Sequence, residues 1–334
     1  MYPVLVEVSR GAMVESRHRG AVAVVESSGS LVLGKGIVGT EIFPRSAIKP
    51  LQALLLIESG AAERFGITPE EIALACASHT GERRHLELIE RWLTKVGCSP
   101  ADLECGPEPP RTPESFRDMV REGGNPTPLH NNCSGKHAGF LTVAKHLGVS
   151  TRGYIEFDHP VQQYLRKILS EVFETDLERA PRGTDGCGIP VLAVRLERLA
   201  RGMARLADPS LEPEKRRTAM LRIRQAMAAH PFLVAGTGRF TTVVTEITKD
   251  RALLKGGAEG VFCAALPQQK LGIAIKIEDG AGRAAEVAAG ALLQRFGAVG
   301  KAEAAALANV FEPRIFNWAG AAVGQIRPTE NLRA

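Results

Sequence analysis

Pro44-Arg45-Ser46-Ala47-Ile48-Lys49-Pro50-Leu51 divides two kinds of sequence. Before it the chain reads as a meander. Val4–Val8, Ala21–Glu26 and Leu31–Lys35 are rich in apolar, strand-favouring residues and are joined by polar turns such as Ser27-Ser28-Gly29-Ser30. After it, Leu51, Leu54 and Leu55 continue as a helix that Gly60 stops. The same stretch holds a serine three residues before a lysine. On a helix those positions share a face, so an amine at 49 is placed to take the proton of a hydroxyl at 46. That requires the amine to be neutral part of the time, which burial and neighbouring cations promote. With Ser46 near the helix start, Pro50 is still tolerated in the first turn, and the positive end of the helix favours a developing oxyanion. Taken alone, the spacing fits a capping serine beside a surface lysine equally well.

Working outward, Thr68-Pro69-Glu70-Glu71 predicts a capped helix start, with Glu71 completing a capping box. The run Ile72–Ala77 that follows suits either helix or strand. Helices are predicted over Arg83–Val96, Lys136–His146 (closed by Gly148), 160–175, Val191–Arg205, Glu214–Ala229 and Arg283–Phe296. Residues 105–130 form a long Pro- and Gly-rich crossing, and Pro181–Pro190 a Gly-rich turn. Phe240–Ile247 is β-branched and reads as a strand, as do Ala252–Leu254 and Leu271–Ile277. Strands at both ends around a helical middle predict an α/β (α+β) fold. One mixed, largely antiparallel sheet would be assembled from both chain ends and flanked by helices. No linker separates independent domains, so residues 1–334 are expected to form one.

Composition narrows the function. The 334 residues carry a net charge of +5, with 44% hydrophobic, 24% charged and 5% aromatic residues. Basic residues alternate with acidic ones, and no basic run is interleaved with aromatics, which argues against nucleic-acid binding. No apolar run approaches the roughly 18 residues of a membrane span. Met1–Val8 has no basic n-region and reads as a first strand instead of a signal peptide, so a cytoplasmic address is expected. The six cysteines are dispersed and include no CxxC pair, against a disulfide framework or zinc ribbon. Cys76 and Cys263 read as small core residues.

Three other patches are chemically dense. Ala77-Ser78-His79-Thr80-Gly81-Glu82 follows an apolar run. Asn131-Asn132-Cys133-Ser134-Gly135-Lys136-His137 brings hydroxyl, thiol, amine and imidazole into one turn. Lys255-Gly256-Gly257-Ala258-Glu259-Gly260 is a glycine-rich loop after a strand.

Together these patches resemble the asparaginases of the Rhizobium etli type II family, relatives in fold of serine β-lactamases, penicillin-binding proteins and glutaminases. The resemblance runs over nearly the whole chain. Its most specific parts are Arg45–Pro50, His130–His137 and Gly183-Thr184-Asp185-Gly186-Cys187-Gly188. It implies a serine β-lactamase-like fold and hydrolysis of L-asparagine to L-aspartate and ammonia. Ser46 would be the nucleophile, Lys49 its base, and Ser78 and Lys255 a second serine–lysine pair. The β-lactamase relatives carry Lys-Thr-Gly or Lys-Ser-Gly where this chain has Lys255-Gly256-Gly257, so a hydroxyl is missing there and β-lactam hydrolysis is disfavoured.

The resemblance also implies a Zn2+ site on Cys133, Lys136 and Cys187, and a homodimer. Two thiolates, a nitrogen and a water suit zinc, although a lysine ligand must first lose its proton. A Cys133–Cys187 disulfide, or His137 as the nitrogen ligand, are the alternatives. Asp185 is suited to the substrate α-ammonium and Arg45 to its α-carboxylate, with His137 and His79 as hydrogen-bonding neighbours. Asp185 also fits a purely structural turn role. A glutaminase or penicillin-recognising hydrolase is the second enzyme reading. A zinc-binding protein that has lost catalysis is the reading from another class.

Overall fold

In the computed structural model, which describes residues 1–333, the contacts divide the chain into two compact units. One comprises Met1–Ile48, Val194–Asp208 and Val244–Ala334 and holds the large sheet; the other comprises Lys49–Ala193 and Pro209–Val243 and is mainly helical. Each is assembled from separate stretches of chain, which explains why no single linker marks a boundary in the sequence.

Among the described residues, the large sheet of the first unit has eight strands: β1 (Val4–Arg10), β2 (Met13–Glu26), β3 (Leu31–Lys35), β4 (Leu253–Gly256), β5 (Val261–Leu266), β6 (Leu271–Ile277), β7 (Arg314–Phe316) and β8 (Ala322–Pro328). Their order is β7-β8-β1-β2-β6-β5-β4, with β3 also on β2, and every pairing is antiparallel. The long β2 pairs with β1 through its first half, then with β6 and β3 through its second. The expected sheet from both chain ends is therefore present. Strands β5, β7 and β8 had no counterpart in the sequence reading.

Strand β5 is buried at every residue and β6 at all but Lys276. Successive residues point to opposite faces, so both faces of these strands are covered. The helices Leu196–Ala207 and Gly282–Arg295 pack on them. Gly272 allows the first of these close contacts: a Cβ there would lie 2.0 Å from the Ala200 carbonyl oxygen and 2.1 Å from the Ala204 nitrogen.

The helical unit contains Pro69–Ala75, Arg83–Lys95, Ser134–Leu147, Pro160–Phe173 and Glu214–Ala229, all foreseen within a few residues. Thr68 and Glu71 form the expected capping box. The ambiguous run after Pro69 is helix as far as Ala75. Gly135 lets the helix Ser134–Leu147 approach Pro69–Ala75, since a Cβ at 135 would meet the Leu74 carbonyl oxygen at 2.3 Å.

Two expectations need correction. Phe240–Thr248 is a helix, not a strand. Its threonines bond main-chain carbonyls within the helical fold: Thr242 donates to Gly236 O at 2.6 Å and Thr248 to Val244 O at 3.0 Å. Satisfied hydroxyls and a buried face override β-branched propensity here. The predicted helix Val191–Arg205 begins only at Leu196, and the short strands Pro190–Leu192 and Val194–Arg195 precede it.

Candidate active site

The helical unit gathers most of the expected chemistry. Lys49 opens the short helix Lys49–Gln52 and is fully buried. Its Nζ donates to the carbonyl oxygens of Ala77 and Asn132 (3.4 Å) and to Ser78 Oγ at 3.1 Å. Burial is the main cause that lowers its pKa; the Lys136 ammonium adds to this, while Cys133 and Cys187 oppose it. Burial thus makes Lys49 give up a proton more readily than an ordinary lysine, beside the hydroxyl of Ser78.

Ser78 leaves the helix Pro69–Ala75 in an extended turn. Its N–H bonds Val234 O at 3.0 Å and the next N–H, of His79, bonds Asn132 O at 3.3 Å. His79 is fully buried, and burial holds its pKa well below the usual histidine range. Its Nδ1 accepts from the Gly81 N–H at 3.1 Å, so Nε2 carries the proton and donates to Ser134 Oγ at 2.9 Å. That imidazole braces the start of the helix Ser134–Leu147.

Cys133, Lys136 and Cys187 converge. Lys136 Nζ donates to Cys187 Sγ at 3.0 Å, and the two sulfurs hydrogen-bond. That bond, with burial, raises Cys133; the same bond, aided by Lys136 and opposed by burial, lowers Cys187. One thiolate and one thiol share the site. For Lys136, burial works against its charge most strongly, yet Cys187 and Cys133 together outweigh it and raise its pKa. All six cysteines are free thiols, so the Cys133–Cys187 pair is not a disulfide. Among the described residues no three His, Cys, Asp or Glu side chains gather as a metal site. The set expected for zinc has two such side chains and a lysine, and those three do come together.

His137 is fully buried and follows Lys136. Tyr154 OH accepts the Glu104 N–H and shares a hydrogen bond with His137 Nδ1 at 2.7 Å, and the buried Nε2 has no hydrogen-bond partner among the described residues. The structure sets the amine of Lys136, and not this imidazole, on Cys187. Asp185 lies in the turn before Cys187, where its Oδ1 accepts the Gly186 N–H at 2.7 Å, and its charge acts on Lys136.

Arg45, Ser46 and Lys255 belong to the sheet unit. Arg45 and Ser46 open a 3-10 turn, Arg45–Ile48, which the chain leaves directly into Lys49–Gln52. Arg45 has a φ of 51°, a left-handed conformation uncommon for a non-glycine residue and found where surrounding structure enforces it. Ser46 is half-buried. Lys255, on β4, is buried and donates to Gly256 O at 2.7 Å. A Cβ at Gly257 would meet Ala47 N and Pro44 O at 3.0 Å, so the glycine turn after Lys255 lies against the Ser46 turn. Gly257 thus serves a close approach, whereas a Cβ at Gly256 would make only ordinary contact, at 3.5 Å from the Phe262 ring.

Glu108 and Tyr154 carry no sequence signal of their role, and nothing in the sequence announces the left-handed backbone of Arg45, whose side chain the sequence does single out. Glu108 lies in the irregular crossing and Tyr154 in a turn, without a motif to flag them.

The family model for L-asparaginase II matches residues 6–328. This chain belongs to the L-asparaginase II family. That membership makes it an amide hydrolase of the asparaginase type. No curated protein matches it. Among solved structures it is similar to Mglu in its tris and glutamate form (14% identity, 89% of this chain and 64% of that one, TM-score 0.48). It is also similar to a β-lactamase from Mycobacterium bovis (14% identity, 80% and 89%, TM-score 0.42). A third is a putative β-lactamase from Bacteroides dorei (12% identity, 77% and 84%, TM-score 0.44). No helix among the described residues is long and apolar enough to cross a membrane.

Proposed function

We propose that this family member is an L-asparagine amidohydrolase that uses serine–lysine chemistry. The observation that carries this reading is Lys49: a fully buried amine with a lowered pKa, donating to the Ser78 hydroxyl. An amine whose burial eases the loss of its proton, hydrogen-bonded to a hydroxyl, is a base that can activate a serine without a histidine.

Ser46 Oγ attacks the side-chain carboxamide carbon while Lys49 accepts its proton. The tetrahedral intermediate collapses, the amide nitrogen takes a proton back, and ammonia leaves an aspartyl ester on Ser46. Water, deprotonated by the same base, hydrolyses that ester to L-aspartate. Ser78, bonded to Lys49, relays the proton, and Lys255 supplies the second amine. Asp185 takes the substrate α-ammonium and Arg45 its α-carboxylate, with His137 nearby.

Cys133, Lys136 and Cys187 are the residues that would hold a zinc ion. Their donor chemistry suits it, since soft thiolates and a nitrogen favour zinc. Bound there, the metal would supply a fixed positive charge and tie the start of the helix Ser134–Leu147 to the Cys187 turn. We further propose a homodimeric, cytoplasmic enzyme.

Mass spectrometry of the enzyme after a slow substrate or reactive analogue tests the nucleophile. The adduct is expected on Ser46; an adduct elsewhere overturns the assignment. Metal analysis of protein purified without chelator is expected to find zinc, with Cys133 and Cys187 protected from thiol reagents. Absence of zinc together with free reaction of both thiols removes that part of the proposal.

A further inference from the structure

The long crossing that carries Glu108 contributes to the site through hydrogen bonds that no sequence motif announces. Glu108 Oε2 accepts both the main-chain N–H of Asn132, at 3.0 Å, and its side-chain amide Nδ2, at 2.6 Å. Arg111 pairs with the carboxylate at 2.7 Å. Burial works against the Glu108 charge most strongly, but the two bonds from Asn132 and the Arg111 charge together lower its pKa, so it is ionised. Charge-assisted bonds of this kind are about twice as strong as neutral ones.

Asn132 in turn faces the catalytic amine. Its carbonyl oxygen accepts from Lys49 Nζ and from the N–H of His79, the residue after Ser78. With Nδ2 committed to Glu108, the side-chain Oδ1 of Asn132 is left to accept from Cys133 Sγ at 3.3 Å. One residue therefore touches the base, the turn that carries its hydroxyl partner, and a thiol of the Cys133–Lys136–Cys187 cluster. Glu108 grips that residue by two donors.

We propose that Glu108 is a positioning residue: by clamping Asn132 it fixes the carbonyl that orients the Lys49 amine toward Ser78. This rests on the serine–lysine reading above. Lys49 Nζ has three acceptors, and it loses its orientation toward Ser78 if one carbonyl drifts. Small displacements of a reacting group cost disproportionately in rate; about 1 Å can cost a hundredfold.

Two readouts taken together separate this proposal from the reading on which it rests. The first is ammonia release from L-asparagine by wild type, Glu108→Ala, Glu108→Asp and Glu108→Gln, with kcat and KM resolved. The second does not require activity: the rate at which acetic anhydride acetylates Lys49, read by peptide mass spectrometry. In Glu108→Ala and Glu108→Asp, kcat is expected to fall by about tenfold or more with KM changed by less than about threefold. Lys49 acetylation should rise several-fold in both. Glu108→Gln keeps an oxygen acceptor for Asn132 and is expected to stay within about threefold of wild type on both readouts. If Glu108→Ala does not fold, Glu108→Asp decides. Wild-type kcat and acetylation in Glu108→Asp overturn the proposal, as does a rise in KM with kcat unchanged. Equal loss in Glu108→Gln and Glu108→Asp also overturns it, since it marks a loop anchor that needs the charge alone. If wild type releases no ammonia, the functional reading fails, and the acetylation rates still decide whether Glu108 holds the amine.

Discussion

The two units bury different things. The sheet unit buries aliphatic strands: Val22–Val25, Val261–Leu266 and Ile273–Ile275 are almost without solvent contact. Lys255, His18 and Cys263 are the few buried titratable groups among its described residues. The helical unit buries Lys49, Glu58, Glu71, His79, His85, Lys136, His137, Arg166 and Arg216. Each buried charge costs free energy unless it is paired. Here the cost is offset by ion pairs such as Arg216–Glu58 at 2.8 Å and Lys95–Glu71 at 2.8 Å, and by the Lys136–Cys187 bond. A fold tolerates such groups where chemistry needs shifted pKa values, so the contrast separates a scaffold from a site.

The largest effect should separate two lysines. Both Lys49 and Lys276 have pKa values lowered chiefly by burial, but Lys276 in the sheet unit donates only to main-chain carbonyls at 2.6 Å, of Glu259 and Ile277. Lys49→Met is expected to lower kcat for ammonia release by about 10²- to 10⁴-fold, the usual worth of a general base. Lys276→Met should leave kcat near wild type. Equal losses would break the distinction drawn between the units.

Ion pairs sharpen it next. Glu58→Ala leaves Arg216 buried beside Glu171 alone, and chemical denaturation should show a loss of about 3–5 kcal/mol, typical of stripping one partner from a buried pair. Glu15→Ala removes the exposed partner of Arg10 in the sheet unit and should leave the unfolding midpoint unchanged.

Acid should act first on the helical unit. His79 and His85, stacked at 4.9 Å, are kept neutral by burial. Their folded pKa values lie below the ordinary 6.5, so below that pH the unfolded chain binds more protons than the fold. Stability is unaffected above pH 6.5 and is lost as pH falls from there toward the lowered folded values. The two tryptophans report separately: Trp92 is fully buried in the helical unit and Trp318 fully exposed in the sheet unit. A red shift of Trp92 emission, measured in Trp318→Phe, should appear at lower denaturant at pH 5 than at pH 7. An unchanged midpoint counts against the neutral histidines. The smallest loss is expected in Thr68→Ala, which removes a cap that accepts the Glu71 N–H and should cost about 1 kcal/mol in thermal unfolding.

The same contrast governs what the sequence made legible. Strands β1, β2 and β6 announce themselves through continuous apolar or alternating runs, and the capping box at Thr68 is a local chemical device. Strands β7 and β8 do not, because their residues are mostly exposed or half-buried and carry no hydrophobic pattern. Phe240–Thr248 misled because seven of its nine residues are Thr, Val or Ile, and tertiary burial overrode that preference. In the candidate site, Lys49, Ser78, Cys133, Lys136 and Cys187 stand out in the sequence as residue types at family spacings, and the structure brings Lys49 onto Ser78 and Lys136 onto Cys187. Glu108 and Tyr154 do not stand out, since their roles come from hydrogen bonds between stretches far apart in the chain.

The central claim is tested most directly by ammonia release from L-asparagine, measured side by side for wild type and Ser46→Ala. The account predicts release by wild type and a loss of about 10³-fold or more in Ser46→Ala, as expected when a nucleophile is removed. Full activity in Ser46→Ala, or no release by wild type, would contradict it.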